Sequence, residues 1–180
     1  DALSIEHALS ITSTIIKFLN IKKAEIVVVA SHTNYLDNFV KNLNSTLNAN
    51  FLKKNFLKKN FSEISKYFEK IKDAKIKDIV NALLSVSENL KDFEIDGCEE
   101  IIQEMKIFEK CKDYIHQQND YNSFNIIFDM ANEPKRAYHK GFFYEIFVNC
   151  SNIISGGKYI ISGEEGRGFG IDVVLASSIS

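Results

Sequence analysis

Cysteine is scarce in this chain and irregularly placed. Cys98, Cys111 and Cys150 are an odd number at wide spacing, which argues against both a disulfide framework and a zinc site. Histidine is equally thin. His7, His32, His116 and His139 form no pair at ligand spacing, so no metal is expected. No apolar run approaches the length of a membrane span, and no signal-peptide pattern is visible at the start of the sequence, so neither is expected. Charge of one sign is missing too: the formal net charge is −2, which removes the global electrostatic reason to expect nucleic acid as a partner. A reducing cytoplasm is the compartment these features suit. Proline occurs once, at Pro134, beside abundant Lys, Asn and Ile, the composition of an AT-rich bacterial genome. The chain opens on Asp1-Ala2-Leu3, already in a helical pattern and with no initiating Met, as a fragment or a processed chain would.

What is present fits one ordinary globular core. The 180 residues are 45% hydrophobic and 26% charged, enough for a single core with at most two small lobes. Leu3, Ile5, Ala8, Leu9, Ile11, Ile15, Ile16 and Leu19 repeat at helical spacing, with Asp1 as N-cap. Ala24–Ala30 reads as a strand covered on both faces, and Asn34–Leu47 returns to helix. Residues 50–119 read as mostly helical, with helices near Ser62–Lys72, Lys75–Leu90 and Cys98–Gln118. This stretch opens with a tandem repeat of Asn-Phe-Leu-Lys-Lys at 50–54 and 55–59, too short for a solenoid and expected in a tolerant surface helix. Its lysines, interleaved with Glu63, Glu69, Asp73 and Asp78 further on, read as a solvated face.

From Ser123 the pattern turns to strands, at Phe124–Met130, Gly141–Asn149, Ile153–Ile161 and Phe169–Leu175, with a helix beginning near Val173. The links Asn132–Pro134, Asn149–Asn152 and Ser162–Gly168 have turn chemistry, and short links favour antiparallel neighbours. The expected fold is α+β: an antiparallel sheet flanked by helices, with a helical insertion. Residues 1–49 and 120–180 would supply the core and 50–119 the insertion.

Glycines inside the last strands are the functional clue. Gly156-Gly157 and the string Gly166-Arg167-Gly168-Phe169-Gly170 mark a bulge or a close backbone approach, often to a ligand. With Tyr138-His139-Lys140-Gly141-Phe142-Phe143-Tyr144-Glu145 they suggest the floor of a small-molecule site. Tyr138 either orients a polar ligand through its hydroxyl or fills a half-buried strand. Phe142 and Phe143 read as core. His139 reads as a surface histidine, since no Ser or Cys nucleophile with an acidic partner lies near it in sequence. Glu145 and Asp172 either hold an ammonium or imidazole group or point outward, because strand residues alternate faces. Glu164, Glu165 and Arg167 read as a solvated turn. The glycine string precedes a strand instead of joining a strand to a helix, so it is not a dinucleotide fingerprint.

The order of these segments resembles the class II aminoacyl-tRNA synthetase core in its histidyl branch. The likeness is strongest to the paralogues that serve as regulatory subunits of ATP phosphoribosyltransferase. In that family an Asp-Ala helix, a strand, a second helix, a helical insertion and a strand ending in Asp follow in turn. Here they are Asp1-Ala2, Ala24–Ala30, Asn34–Leu47, the helical stretch and Phe128-Asp129. The family's tyrosine-glycine segment resembles Tyr138–Glu145, its Gly-Gly-Arg-Tyr-Asp segment Gly156-Gly157-Lys158-Tyr159-Ile160, and its third motif Gly168-Phe169-Gly170-Ile171-Asp172. Its first and second motifs, with a dimer interface and an ATP-binding arginine, have no counterpart here.

The resemblance implies histidine contacts at Tyr138, Glu145, Gly156, Gly157, Tyr159 and Gly168. It also implies departures. The position of the family's catalytic arginine is Pro134, with Arg136 out of register; that of the third-motif arginine is Leu175; that of the Asp after the tyrosine is Ile160. Losing both arginines removes charge stabilisation at a phosphate. The resemblance therefore implies a non-catalytic regulatory subunit of ATP phosphoribosyltransferase in histidine biosynthesis, without a cofactor. It would activate the short catalytic subunit and sense histidine, in a homodimer or a larger hetero-oligomer. The alternatives are a diverged histidyl-tRNA synthetase, a synthetase-like ligase of histidine and ATP, and a scaffold with a decayed pocket.

Overall fold

The computed structural model describes residues 3–21, 24–43, 49–69, 72–116, 123–135 and 137–179. Asp1-Ala2, Arg136 and the part of the expected second helix beyond Leu43 lie outside them. Helix α1 (Leu3–Phe18) leads into strand β1 (Glu25–His32) and helix α2 (Tyr35–Asn42). Helices α3 (Ala49–Leu57), α4 (Phe61–Phe68) and α5 (Ala74–Leu84), a 3-10 turn (Leu90–Phe93) and the long helix α6 (Glu99–His116) follow. The chain then lays down β2 (Ser123–Phe128), β3 (His139–Val148), β4 (Ser151–Ile161) and β5 (Glu164–Ile171), and ends in a short helix α7 (Val173–Ser177).

The strands form one sheet in the order β2-β1-β3-β4-β5. β3, β4 and β5 are an antiparallel meander, β3 also runs antiparallel to β1, and only β1 and β2 are parallel. The helical passage between β1 and β2 is the long crossover that a parallel pair needs. The α+β class holds, with a mixed sheet.

One face of the sheet carries the core. Phe108 of α6 meets the rings of Phe128, Phe142 and Tyr144 at centroid distances of 6.5, 5.7 and 5.9 Å, all edge-on, the geometry aromatic pairs prefer. Ile26, Val28 and Ala30 of β1, Ile146 and Val148 of β3, and Ile5, Ala8 and Leu9 of α1 are buried in the same cluster. The opposite face of β1, at Val27 and Val29, is only half-buried. The expectation of a strand covered on both faces is corrected there, since that second face is not fully covered. The helices after β1 join the same cluster through aromatic contacts, Tyr35 with Phe93 at 5.8 Å and Phe39 with Phe56 at 5.8 Å, and the Tyr35 hydroxyl donates to the Phe93 carbonyl at 2.8 Å.

Two local expectations change. The tandem repeat is not a tolerant surface helix. Its second copy buries Phe56 completely and Asn55 nearly so, and its first buries Leu52. Lys59 then ends the helix with φ +50° and places its Nζ 2.6 Å from Asp129 Oδ1 and 2.6 Å from the Leu83 carbonyl. The turn expected over Ser162–Gly168 is only Ser162-Gly163, and β5 begins at Glu164.

Candidate ligand site

The cleft on the second face measures about 820 Å³, within the range of about 300–1,000 Å³ usual for small-molecule sites. Its floor is the β3-β4-β5 meander. Antiparallel register sets Val29, Glu145, Ser155 and Gly170 side by side across four strands. The next row in the same direction brings together Ser31, Phe143, Gly157 and Gly168. A wall is made by aromatic rings: Tyr138 meets Tyr159 edge-on at 6.4 Å and lies 4.8 Å from the His139 ring. Pro134 and Lys135 border the cleft from the loop before β3, and Leu175 of α7 borders it from the other side.

Of the residues singled out in the sequence, Tyr138, Glu145, Gly156, Tyr159 and Gly168 all line this cleft, and Gly157 does not. Gly157 serves the backbone. A Cβ there would stand 2.6 Å from the Phe142 carbonyl oxygen and 2.7 Å from Phe143 Cα. The reason is an irregularity in β3: His139 pairs with Tyr159 and Phe143 with Gly157, so three residues of β3 oppose one of β4. The slack is taken up by Gly141, at φ +99°, whose backbone bonds to Thr33 at 3.0 Å in both directions. This detour swings His139 inward. His139 is buried at 7% exposure, which corrects the expectation of a surface histidine.

Glycine at 166 has a different cause. A Cβ on it would fall 2.4 Å from the Tyr159 ring, so Tyr159 lies across β5 at that point. At Gly170 a Cβ would meet nothing within 4 Å, and the glycine leaves space open over the floor.

The polar groups of the cleft centre on Glu145. Its Oε1 accepts from Asn152 Nδ2 at 2.6 Å and lies 2.8 Å from Lys135 Nζ. Asp172 points its carboxylate back at its own chain, accepting from Leu175 N at 2.9 Å as the N-cap of α7. It is therefore a cap, as an Asp before a helix commonly is. Lys135 and Asn152 escaped the sequence reading. Asn152 fell in a stretch read as a turn, and a register shift after Ile146, which pairs Phe147 with Asn152, carries its amide to Glu145.

Beneath the floor runs a second charged set. His32, buried at the end of β1, is 3.0 Å through Nε2 from Glu104 of α6, while its Nδ1 accepts from Asn34 N at 3.2 Å. Glu104 also pairs with Lys158 at 3.3 Å, Lys158 with Glu165 at 3.1 Å, and Glu165 with Arg167 at 3.4 Å. Glu165 and Arg167 are thus strand residues in a network and not a turn, though Glu165 is exposed as expected. Burial lowers the pKa of His32 despite the raising effect of Glu104. For Lys158 burial acts downward as well, yet the bonds to Glu165 and Glu104 outweigh it and hold the ammonium above the ordinary lysine range. Burial also pushes the Cys98 and Cys111 thiols up to about 11, which makes them inert packing groups. Among the described residues no group of three or more His, Cys, Asp or Glu is placed to hold a metal ion, and no helix is long and apolar enough to cross a membrane.

Comparisons with known proteins agree with this architecture. The family model described as Histidyl-tRNA synthetase matches residues 2–174. No curated protein matches the sequence. Among solved structures, an ATP phosphoribosyltransferase regulatory subunit/histidyl-tRNA synthetase from Bacillus halodurans C is similar with a TM-score of 0.63 at 18% identity, over 93% of this chain and 48% of that one. The ATP phosphoribosyl transferase (HisG:HisZ) complex from Thermotoga maritima gives a TM-score of 0.66 at 17% identity, over 95% of this chain and 61% of its own. Histidyl-tRNA synthetase from Nostoc sp. PCC 7120 gives 0.51 at 20% identity, over 98% of this chain and 44% of its own. At these identities the structural likeness speaks for the fold, and the chain spans about half to three-fifths of the length of these proteins. With the family match running nearly end to end and the synthetase-like sheet carrying its cleft on the uncovered face, this chain belongs to the histidyl-tRNA synthetase family.

Proposed function

We propose that the chain is part of a non-catalytic regulatory subunit of ATP phosphoribosyltransferase, which binds histidine in the cleft and biases the activity of a short catalytic subunit. One observation carries the reading. Pro134 and Leu175, the positions where the family resemblance puts the two arginines of amino-acid activation, both line the cleft, and neither bears a charge. Among the described lining residues the only lysine or arginine is Lys135, and it is paired with Glu145. Transfer chemistry at a phosphate needs fixed cations aimed at the developing charge. The cleft as described is suited instead to a small ligand with aromatic and cationic character, held by Tyr138, Tyr159 and Glu145.

Similarity to the ATP phosphoribosyl transferase (HisG:HisZ) complex from Thermotoga maritima supports a catalytic subunit as the partner, and linkage supplies the mechanism. If histidine prefers one state of the assembly, its binding must shift the catalytic subunit toward that state by the same coupling free energy.

ATP–pyrophosphate exchange with histidine tests the non-catalytic half of the proposal on the full-length protein. No exchange is expected; steady histidine-dependent exchange would make the protein a ligase and sink it. Calorimetric titration tests the other half. Saturable histidine binding that is lost in Tyr159→Ala supports a sensor site, and no heat in the wild type contradicts one.

A further inference from the structure

Lys135 is paired with Glu145 in the cleft, and its position makes it the removable partner. Glu145 is fixed in the middle of β3 with its side chain 14% exposed, while the Lys135 side chain is 69% exposed on the loop before β3. Ion pairs with so exposed a cation are weak and readily exchanged. A carboxylate in so closed a place, by contrast, is poorly compensated by water if it loses its counter-ion.

Asn152 completes the arrangement. Its Nδ2 is committed to Glu145 Oε1 at 2.6 Å, which settles which end of the amide is the carbonyl. Its Oδ1 is buried and has no hydrogen-bond partner among the described residues. A buried acceptor left unmatched is uncommon and calls for a donor. The open space above Gly170, in the same row as Glu145 and Ser155, gives such a donor room.

We propose that Glu145 and Asn152 form a cation subsite and that Lys135 is its built-in occupant, displaced when a small ligand bearing a protonated amine or imidazolium enters. The ligand's N–H groups take over the bond to Glu145 and add one to Asn152 Oδ1, so donors with positive charge are selected over neutral or anionic groups. This deepens the reading of the cleft as a histidine site by assigning the chemistry of one end. It also gives the loop before β3 two tethers: Asp129 at its start, held by Lys59, and Lys135 near its end, held by Glu145. Ligand entry releases the second.

Calorimetry on the full-length protein with L-histidine and histamine as probes decides the matter, with Lys135→Gln, Asn152→Ala and the control Lys140→Gln. Removing the internal competitor should tighten binding of both probes by about two- to five-fold. Asn152→Ala should weaken it, and Lys140→Gln should leave it unchanged. Weaker or unaltered binding in Lys135→Gln overturns the proposal, because Lys135 is then a ligand contact or a bystander. If histamine follows this pattern while histidine does not bind, the histidine reading fails and the cation subsite stands. If neither probe binds the wild type or Lys135→Gln, the subsite itself is refuted.

Discussion

A Cβ on Gly157 would stand 2.6 Å from the Phe142 carbonyl oxygen, whereas one on Gly170 would meet nothing within 4 Å. The two glycines look equivalent in the sequence, yet the first is needed by the backbone and the second by the cleft. Gly157→Ala should lower the unfolding free energy by about 1–3 kcal/mol, as overpacked sites do. Gly170→Ala should stay within about 0.5 kcal/mol of wild type while weakening histidine binding. Denaturant midpoints and calorimetry on the same two variants check the contrast. His32 offers a second test at this scale. Burial holds its pKa below the ordinary value of 6.5, so the native state binds fewer protons than the unfolded chain. Its contribution to stability is complete above pH 6.5 and is lost as pH falls toward the lowered native value. Glu104, Lys158 and the Asn34 amide are the polar groups that face it. The melting temperature should therefore drop between pH 7 and pH 5, and the drop should be shallower in His32→Gln.

At the scale of elements, the two copies of the Asn-Phe-Leu-Lys-Lys repeat show how far local sequence reaches. Phe56 is fully buried against Phe39 and Phe68, while Phe51 is half-buried. Phe56→Ala should cost about 3–5 kcal/mol and Phe51→Ala clearly less, a difference chemical denaturation reads directly. Helical period alone showed where these helices run but not which side another helix would cover. The strands of the meander were legible because aromatic and β-branched runs broken by glycine are local signals. The cleft was partly legible for the same reason, at Tyr138, Glu145, Gly156, Tyr159 and Gly168. Lys135, Asn152 and the inward turn of His139 were not: Asn152 and His139 depend on register shifts whose exact place the sequence does not fix, and Lys135 meets Glu145 only through the path of the loop before β3. The start of β5 was misplaced because glycines and charged residues read as turn even where pairing with β4 and the Lys158–Glu165 contact make them strand. Lys59 is a further case: its three acceptors come from two distant elements. Lys59→Met should lose about 1.5–3 kcal/mol, the worth of a charged hydrogen-bonded contact, measurable by thermal or denaturant unfolding.

For the whole molecule, one sheet divides two tasks. Its covered face builds the core with α1 and α6, and its uncovered face keeps a cleft of about 820 Å³. That division leaves a synthetase-family fold with a cleft whose lining includes Pro134 and Leu175, where the family resemblance would place the arginines of amino-acid activation. Under the proposed function, such a cleft would serve to modulate a partner's reaction. The most direct measurement is the initial rate of ATP phosphoribosyl transfer by a purified short catalytic subunit, titrated with the full-length protein containing this chain. The account predicts a saturable rise in rate that histidine suppresses and that Tyr159→Ala makes insensitive to histidine. An unchanged rate at saturating protein would contradict it.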